Sequence, residues 1–281
     1  MAKKKNRWEK AAVVALLFMA AMYALAYYHK PLTRYCYKIY RVYRRHHRKS
    51  ANDKFQAISF PAGYAIHGID ISHYQEDFNW DNLRTKTVDG DTVNFSFVFM
   101  KATQGKGPWA EDPSFDGNWE DAHEHHVLCG AYHYFLPDKD AEKQAQTFIS
   151  SVKLQEGDLP PVIDVEDARG KSKQEIVDGV KTMSKLLEIK YGVKPIIYSN
   201  IGFIEDYLSD DFPDHYFWVA HFYEDELEVS DEIHWLFWQH NDKAMLLGYD
   251  QKVDVNVFNG NGIELRNILV HGGQRMQPAA E

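Results

Sequence analysis

From residue 66 onward, short apolar runs alternate with stretches of helical periodicity, and this rhythm restricts the chain to few folds. Strand-like runs fall at Ile66–Ile71, Phe95–Ala102, Val127–Phe135, Val162–Val165 and Pro195–Ser199. Helix-like segments at Ser114–His126, Ala141–Val152 and Ser172–Tyr191 lie between most of them; in the last, Ile176, Val180, Met183, Leu187 and their neighbours recur at helical spacing. Strands alternating with helices imply a parallel sheet with right-handed crossovers. Past residue 200 the rhythm changes, because Phe217–Ala220, Trp235–Gln239 and Val253–Val257 are strand-like with little helix between them. Eight strands predict a closed α/β barrel, with five βα units and a strand-rich final third. The barrel is expected over residues 66–262, followed by a C-terminal segment, 263–281, whose tail reads as disordered.

In such a barrel, chemistry sits at the C-terminal ends of the strands. Several strand-like runs deliver an acid there. Asp70 closes the first, Asp164 and Glu166 close the fourth, and Asp254 lies in the last. Side chains at i and i+2 of a strand share a face, so Asp164 and Glu166 would both face the mouth, with Cα atoms ~6.5–7 Å apart. Crowded carboxylates raise one another's pKa. Glycoside hydrolysis needs such a set: a protonated acid for the leaving oxygen, and ionised partners for the oxocarbenium charge or the water. Glu166, the longer side chain, is the expected donor, with Asp164 ionised beside it. The bland alternatives are a turn or cap role for Asp70 and a buried polar partner for Asp254. Asp167 reads as solvated.

Glycan clefts combine aromatic platforms with polar groups. Tyr132, Tyr134, Tyr198 and Trp218 lie at or near strand ends and suit this role, although core packing would explain them too. Lys101 suits a hydrogen bond to an acid or substrate, or a plain ion pair. Gln239 suits an acetamido group, or an ordinary strand hydrogen bond. His123 and His126 have ligand-pair spacing, but no nearby third ligand is evident, so a zinc amidase is a weak alternative. A glycan-binding module without catalysis is the main rival from another class.

Together these segments resemble glycoside hydrolase family 25, the lysozymes of the N-acetylmuramidase type. The resemblance runs from about His67 to Gly260 through Gly68-Ile69-Asp70-Ile71-Ser72-His73-Tyr74-Gln75, Phe97–Thr103, Gly130-Ala131-Tyr132-His133-Tyr134 and Asp164-Val165-Glu166. It continues through Pro195–Tyr198, Phe217–Ala220, Trp238-Gln239 and Val253–Asn256. It implies a flattened (β/α)5β3 barrel and hydrolysis of the β-1,4 bond after N-acetylmuramic acid. It also implies Glu166 as proton donor with Asp70, Asp164 and Asp254 around it, and no cofactor. The chain departs from the family at Gln104, where Glu is common, and in the aromatic spacing of Gly105–Trp109.

The N-terminal part differs in kind. Residues 1–50 carry 13 Lys/Arg and one acid, Glu9, whereas the remainder carries 19 Lys/Arg and 40 Asp/Glu. So acidic a main domain excludes nucleic acid as its ligand, because phosphate contacts need clustered cations. Residues 11–28 are uncharged and would span ~27 Å as a helix, close to a bilayer core. Residues 1–30 therefore read as a cytoplasmic tip with a signal anchor, and residues 31–65 as a basic stalk and linker. A cleaved signal peptide is the alternative, given Ala24-Leu25-Ala26. Residues 34–49 interleave cations with Tyr35, Tyr37, Tyr40 and Tyr43, which suits anionic lipid or a cell-wall polymer. The cation count alone would keep the domain inside. The substrate implied above instead places it outside the cytoplasm, in the periplasm or at the cell surface. Cys36 and Cys129 make a poor disulfide framework.

Overall fold

A computed structural model describes residues 57–75, 78, 80–107, 110–249 and 251–271, together with Ile39. The chain divides into two units, Met1–Arg48 and Lys49–Glu281. The apolar run at 11–28, the basic stretch at 34–49 apart from Ile39, and the tail from Gly272 lie outside the described residues. Among the described residues no helix is long and apolar enough to cross a membrane.

The second unit is built on strands β1 (His67–Ile71), β2 (Arg84–Lys86), β3 (Thr92–Gln104), β4 (Leu128–Tyr134), β5 (Val162–Asp164), β6 (Ile196–Asn200), β7 (Phe217–Ala220), β8 (Trp235–Met245) and β9 (Lys252–Phe258). Their order is β1-β9-β8-β7-β6-β5-β4-β3-β2, and β1 also pairs with β3. That extra pairing closes eight strands into a barrel and leaves β2 outside as a short antiparallel flap on β3. The pairings from β1–β3 round to β7–β8 are parallel, whereas β9 runs antiparallel to both β8 and β1. The expected eight strands and the change of rhythm after β6 are both present.

The crossovers carry helices α1 (Phe115–Glu124), α2 (Ala141–Ser151) and α3 (Lys173–Tyr191), with a short helical stretch, Ile201–Leu208, after β6. Local chemistry sets their ends. Ser172 and Glu175 form a reciprocal capping box at the start of α3, and Gly192, at φ 74°, ends it in the left-handed conformation. Asp140 caps α2 by accepting from the Lys143 N–H. One βα unit departs from expectation. Among the described residues, the β1–β3 connection holds a 3-10 turn, Trp80–Asn82, and β2, and no α-helix. This segment lacks a helical stripe and turns at Gly90, φ 87°. A further helix, α4 (Gly262–Asn267), was not expected; it starts on an Asn261–Glu264 capping box. Beyond it Val270 exchanges backbone hydrogen bonds with Gly157 and Asp158, so this part of the C-terminal segment belongs to the folded unit.

Two apolar cores result. The outer one lies between strands and helices and includes Val98, Phe148, Ile176, Val180 and Met183. The inner one fills the barrel with Phe97, Phe99, Trp218, Phe237, Phe258 and Leu265 of α4. Gly68 and Gly130 make room for it: a Cβ on Gly68 would lie 2.2 Å from the Phe97 ring, and one on Gly130 2.4 Å from the Phe99 ring. Filled in this way, the barrel is a solid plug on which mouth residues stand, and each such phenyl ring contributes ~1.5–3 kcal/mol of burial.

Candidate active site

Strand register brings the four acids to one end of the barrel. Asp70 on β1 lies directly opposite Asp254 on β9. Asp164 ends β5, flanked by Tyr134 of β4 and Tyr198 of β6, and Glu166 follows two residues on. All four line one cleft of about 490 Å³, together with Tyr132, Tyr198, Trp218 and Gln239. A larger neighbouring cleft of about 800 Å³ is lined by His73, Lys101 and Gln104 but contains none of these acids. The four acids are therefore gathered in the smaller one.

Asp70 is 6% exposed, and its Oδ2 accepts two hydrogen bonds, from Gln239 Nε2 and Asn256 Nδ2, both 2.8 Å. Burial lifts its pKa to about 6 against those donors. Asp254 is lifted to about 8, by burial first and then by the charge of Asp70. Two facing carboxyls cannot both ionise cheaply, so the pair shares a proton. Asp164 is 4% exposed, and its Oδ1 is buried with no hydrogen-bond partner. Burial, followed by Glu166, drives its pKa well above the carboxylate range. Glu166 is exposed at the rim, yet the cleft walls still desolvate its carboxyl enough to raise it. Tyr198 and Lys101 oppose that rise.

The expected division had Asp164 charged and Glu166 alone protonated; burial instead raises both carboxyls, Asp164 well above the carboxylate range. Asp164 sits too deep, and no donors gather on its Oδ1 to hold a charge there. What survives is the difference in reach, since only Glu166 presents its carboxyl at the rim.

The other expected residues separate into groups. Tyr132, Tyr198, Trp218 and Gln239 join the acids. Trp218, 2% exposed and stacked on Phe99 at 4.4 Å, is the floor of the cleft rather than an open platform. Gln239 has both ends of its amide engaged, with Nε2 on Asp70 and Oε1 accepting from the Tyr198 hydroxyl at 2.7 Å, so it holds the site instead of offering a free acetamido contact. Lys101 faces the larger cleft, donates to Gln104 Oε1 at 2.7 Å and lies 5.0 Å from the Tyr134 ring centroid. Tyr134 stands beside it, its hydroxyl pushed up to about 12 by burial and the nearby acids. His123 meets the Trp119 carbonyl and Asp158 through its two ring nitrogens, which removes the basis for the zinc alternative.

Sequence reading missed Asn256, Asn200, Phe222 and Asp242 as members of the site. Asn256 had a signal, because it sits two residues after Asp254 on a strand whose polar residues alternate with valines and so shares its face. Asn200 ends β6 and Phe222 follows β7, while Asp242 lies within β8 where its pairing with β9 is irregular, and no periodicity marks them.

Comparison with known proteins follows the same outline. The profile of glycosyl hydrolases family 25 matches residues 69–249. Protein YegX of Escherichia coli K12, which has no assigned function, is 40% identical over 213 residues, 76% of each chain. Lysozyme M1 of Streptomyces globisporus is 26% identical, over 71% of this chain and 70% of that one. The structure of a family 25 glycosyl hydrolase from Bacillus anthracis superposes with a TM-score of 0.67 at 32% identity, covering 77% of this chain and 99% of that chain. With its barrel and more than half its length matched, the chain belongs to glycosyl hydrolases family 25.

Proposed function

We propose that the chain is a peptidoglycan hydrolase that cuts the β-1,4 bond between N-acetylmuramic acid and N-acetylglucosamine, with Glu166 as proton donor. The observation that carries this reading is the crowding of Asp70, Asp164, Glu166 and Asp254 in one cleft at the mouth of the barrel. Relatives named as lysozyme and as N,O-diacetylmuramidase support the substrate class. Protonation of a glycosidic oxygen needs a neutral acid that the substrate can touch. Glu166 is suited on both counts, because burial shifts its pKa toward the neutral form and its side chain is exposed. Asp70, supplied with two amide donors, is suited to carry negative charge toward the oxocarbenium-like transition state. The unpartnered Oδ1 of Asp164 suits a donor brought by the substrate, such as an acetamido N–H. Tyr132, Tyr198 and Trp218 shape the cleft, and Lys101 tunes the acids from β3.

Binding alone gives no reason to bury several carboxyls together, since each is costly unless used or paired. Purified cell walls separate the two readings. Clearing by the wild type, with Glu166→Gln binding walls but not clearing them, is the expected result. Binding without clearing by the wild type would favour a catalytically silent module.

We also propose that residues 11–28 tether the domain outside the cytoplasm, supported by the uncharged run and by the location of the substrate. A reporter fused after Glu281 should be active outside; a protease-protected cytoplasmic C-terminus would defeat this.

A further inference from the structure

Five strands contribute to one continuous hydrogen-bonded chain at the mouth. Trp218 Nε1 on β7 donates to Asn256 Oδ1 on β9 at 2.7 Å, and Asn256 Nδ2 donates to Asp70 Oδ2 on β1 at 2.8 Å. From the other side, the Tyr198 hydroxyl on β6 donates to Gln239 Oε1 on β8 at 2.7 Å, and Gln239 Nε2 donates to the same Asp70 oxygen at 2.8 Å. The indole N–H can only donate, so the Asn256 atom facing it must be the oxygen, and the amide nitrogen is thereby turned onto Asp70. A carboxylate oxygen can only accept, so Gln239 likewise shows it an N–H and presents its oxygen to Tyr198.

We propose that Asn256 and Gln239 are positioning residues that decide which of the paired aspartates carries the shared proton: they hold Asp70 as the charged member and leave the proton on Asp254. Two N–H donors on one oxygen favour the ionised form of that carboxyl and disfavour its protonation. Asp254 has no corresponding amide pair among the described contacts; it hydrogen-bonds Asp70, as the protonated member of the pair would, and faces the negative charges of Asp70, Asp242 and Glu166. The remaining groups around Asp70 are Asp164 on β5, Glu166 beyond it, and the hydroxyls of Tyr132 and Tyr198. Lys101 on β3 acts on Asp164 and Glu166. The charge on Asp70 is therefore supported by the two amides, and the amides are kept in orientation by Trp218 and Tyr198. The Tyr198 hydroxyl also neighbours Glu166 and has one proton for two acceptors, so it links the pair to the proposed donor.

The catalytic consequence rests on the glycosidase reading, but the proton's location does not, and the test keeps them apart. Carbon-13 carboxyl NMR titration of the full chain, assigned through Asp70→Asn and Asp254→Asn, should show Asp70 ionising first. Asn256→Ala should raise the Asp70 midpoint by about one pH unit or more. Trp218→Phe, which keeps a ring in the floor and leaves the Asn256 amide free to turn, should raise it in the same direction. If the enzyme clears cell walls, the acid limb of its pH profile should move upward with that midpoint in both variants. Asp254 ionising first, or an Asp70 midpoint unmoved in folded Asn256→Ala and Trp218→Phe, overturns the proposal. A wild type that clears no walls counts against the muramidase reading alone, because the titration still decides the proton's place.

Discussion

Lys101 is a cation whose influence reaches two of the four acids, and its nearest polar neighbour is Gln104, an uncharged amide. A carboxylate at position 104, common in the family by resemblance, would form an ion pair with Lys101 at that same short distance. Gln104 brings the ammonium no countercharge, and the Lys101 charge lowers the pKa values of Asp164 and Glu166. Gln104→Glu should therefore raise the Glu166 pKa. Because the donor works protonated, the alkaline limb of the clearing profile should move to higher pH, by an amount on the order of half a pH unit for a partly solvated pair. An alkaline limb that stays in place, or moves down, would show that Lys101 does not set the acidity of the donor.

Element by element, the inner core depends on two strand glycines that let aromatic rings lie flat across the barrel. Gly130 of β4 faces Phe99 of β3, which is stacked on Trp218 and set edge-on to Phe237, so the ring has nowhere to move. Gly130→Ala should destabilise the domain by ~1–3 kcal/mol as an overpacked core, measured by denaturant unfolding, and should lower activity by tilting the Trp218 floor. Unchanged stability would mean that the core yields more readily than its packing implies. Much of this layer was legible beforehand. Apolar runs with acids at their ends, such as Val162–Glu166, mark strands and their functional end together, and the capped periodicity of Ser172–Tyr191 marks α3 almost to the residue. The rest depends on closure of the barrel. That Asp70 faces Asp254 follows from the β1–β9 pairing between strands some 180 residues apart in sequence, and the roles of Gln239 and Asn256 follow from the same closure. The β1–β3 connection was hidden for a different reason: a three-residue strand and one 3-10 turn are too short to carry a period.

For the whole molecule, the buried titratable groups set opposing pH trends. Asp70 and Asp254 hold protons more tightly folded than unfolded, with pKa values raised to about 6 and about 8. Their stabilising contribution is complete at acid pH and is lost as pH rises through those values. His133 works in reverse. Its ring nitrogens meet the Thr103 hydroxyl and Gln144, and burial pulls its pKa down to about 4, so stability is lost as pH falls from the ordinary imidazole value of ~6.5 toward 4. Asp254→Asn copies the neutral acid, so it should leave the unfolding midpoint nearly unchanged at pH 5 and raise it at pH 9. A loss at both pH values would show that the amide does not replace the buried neutral carboxyl of Asp254. Function at this scale depends on the bond that is cut. The most direct test digests purified peptidoglycan with the wild type and with Glu166→Gln, reduces the new ends and identifies the terminal sugar by mass spectrometry. The account predicts reduced N-acetylmuramic acid from the wild type and almost none from Glu166→Gln; reduced N-acetylglucosamine, released peptides with no new sugar ends, or an equal yield from the variant would contradict it.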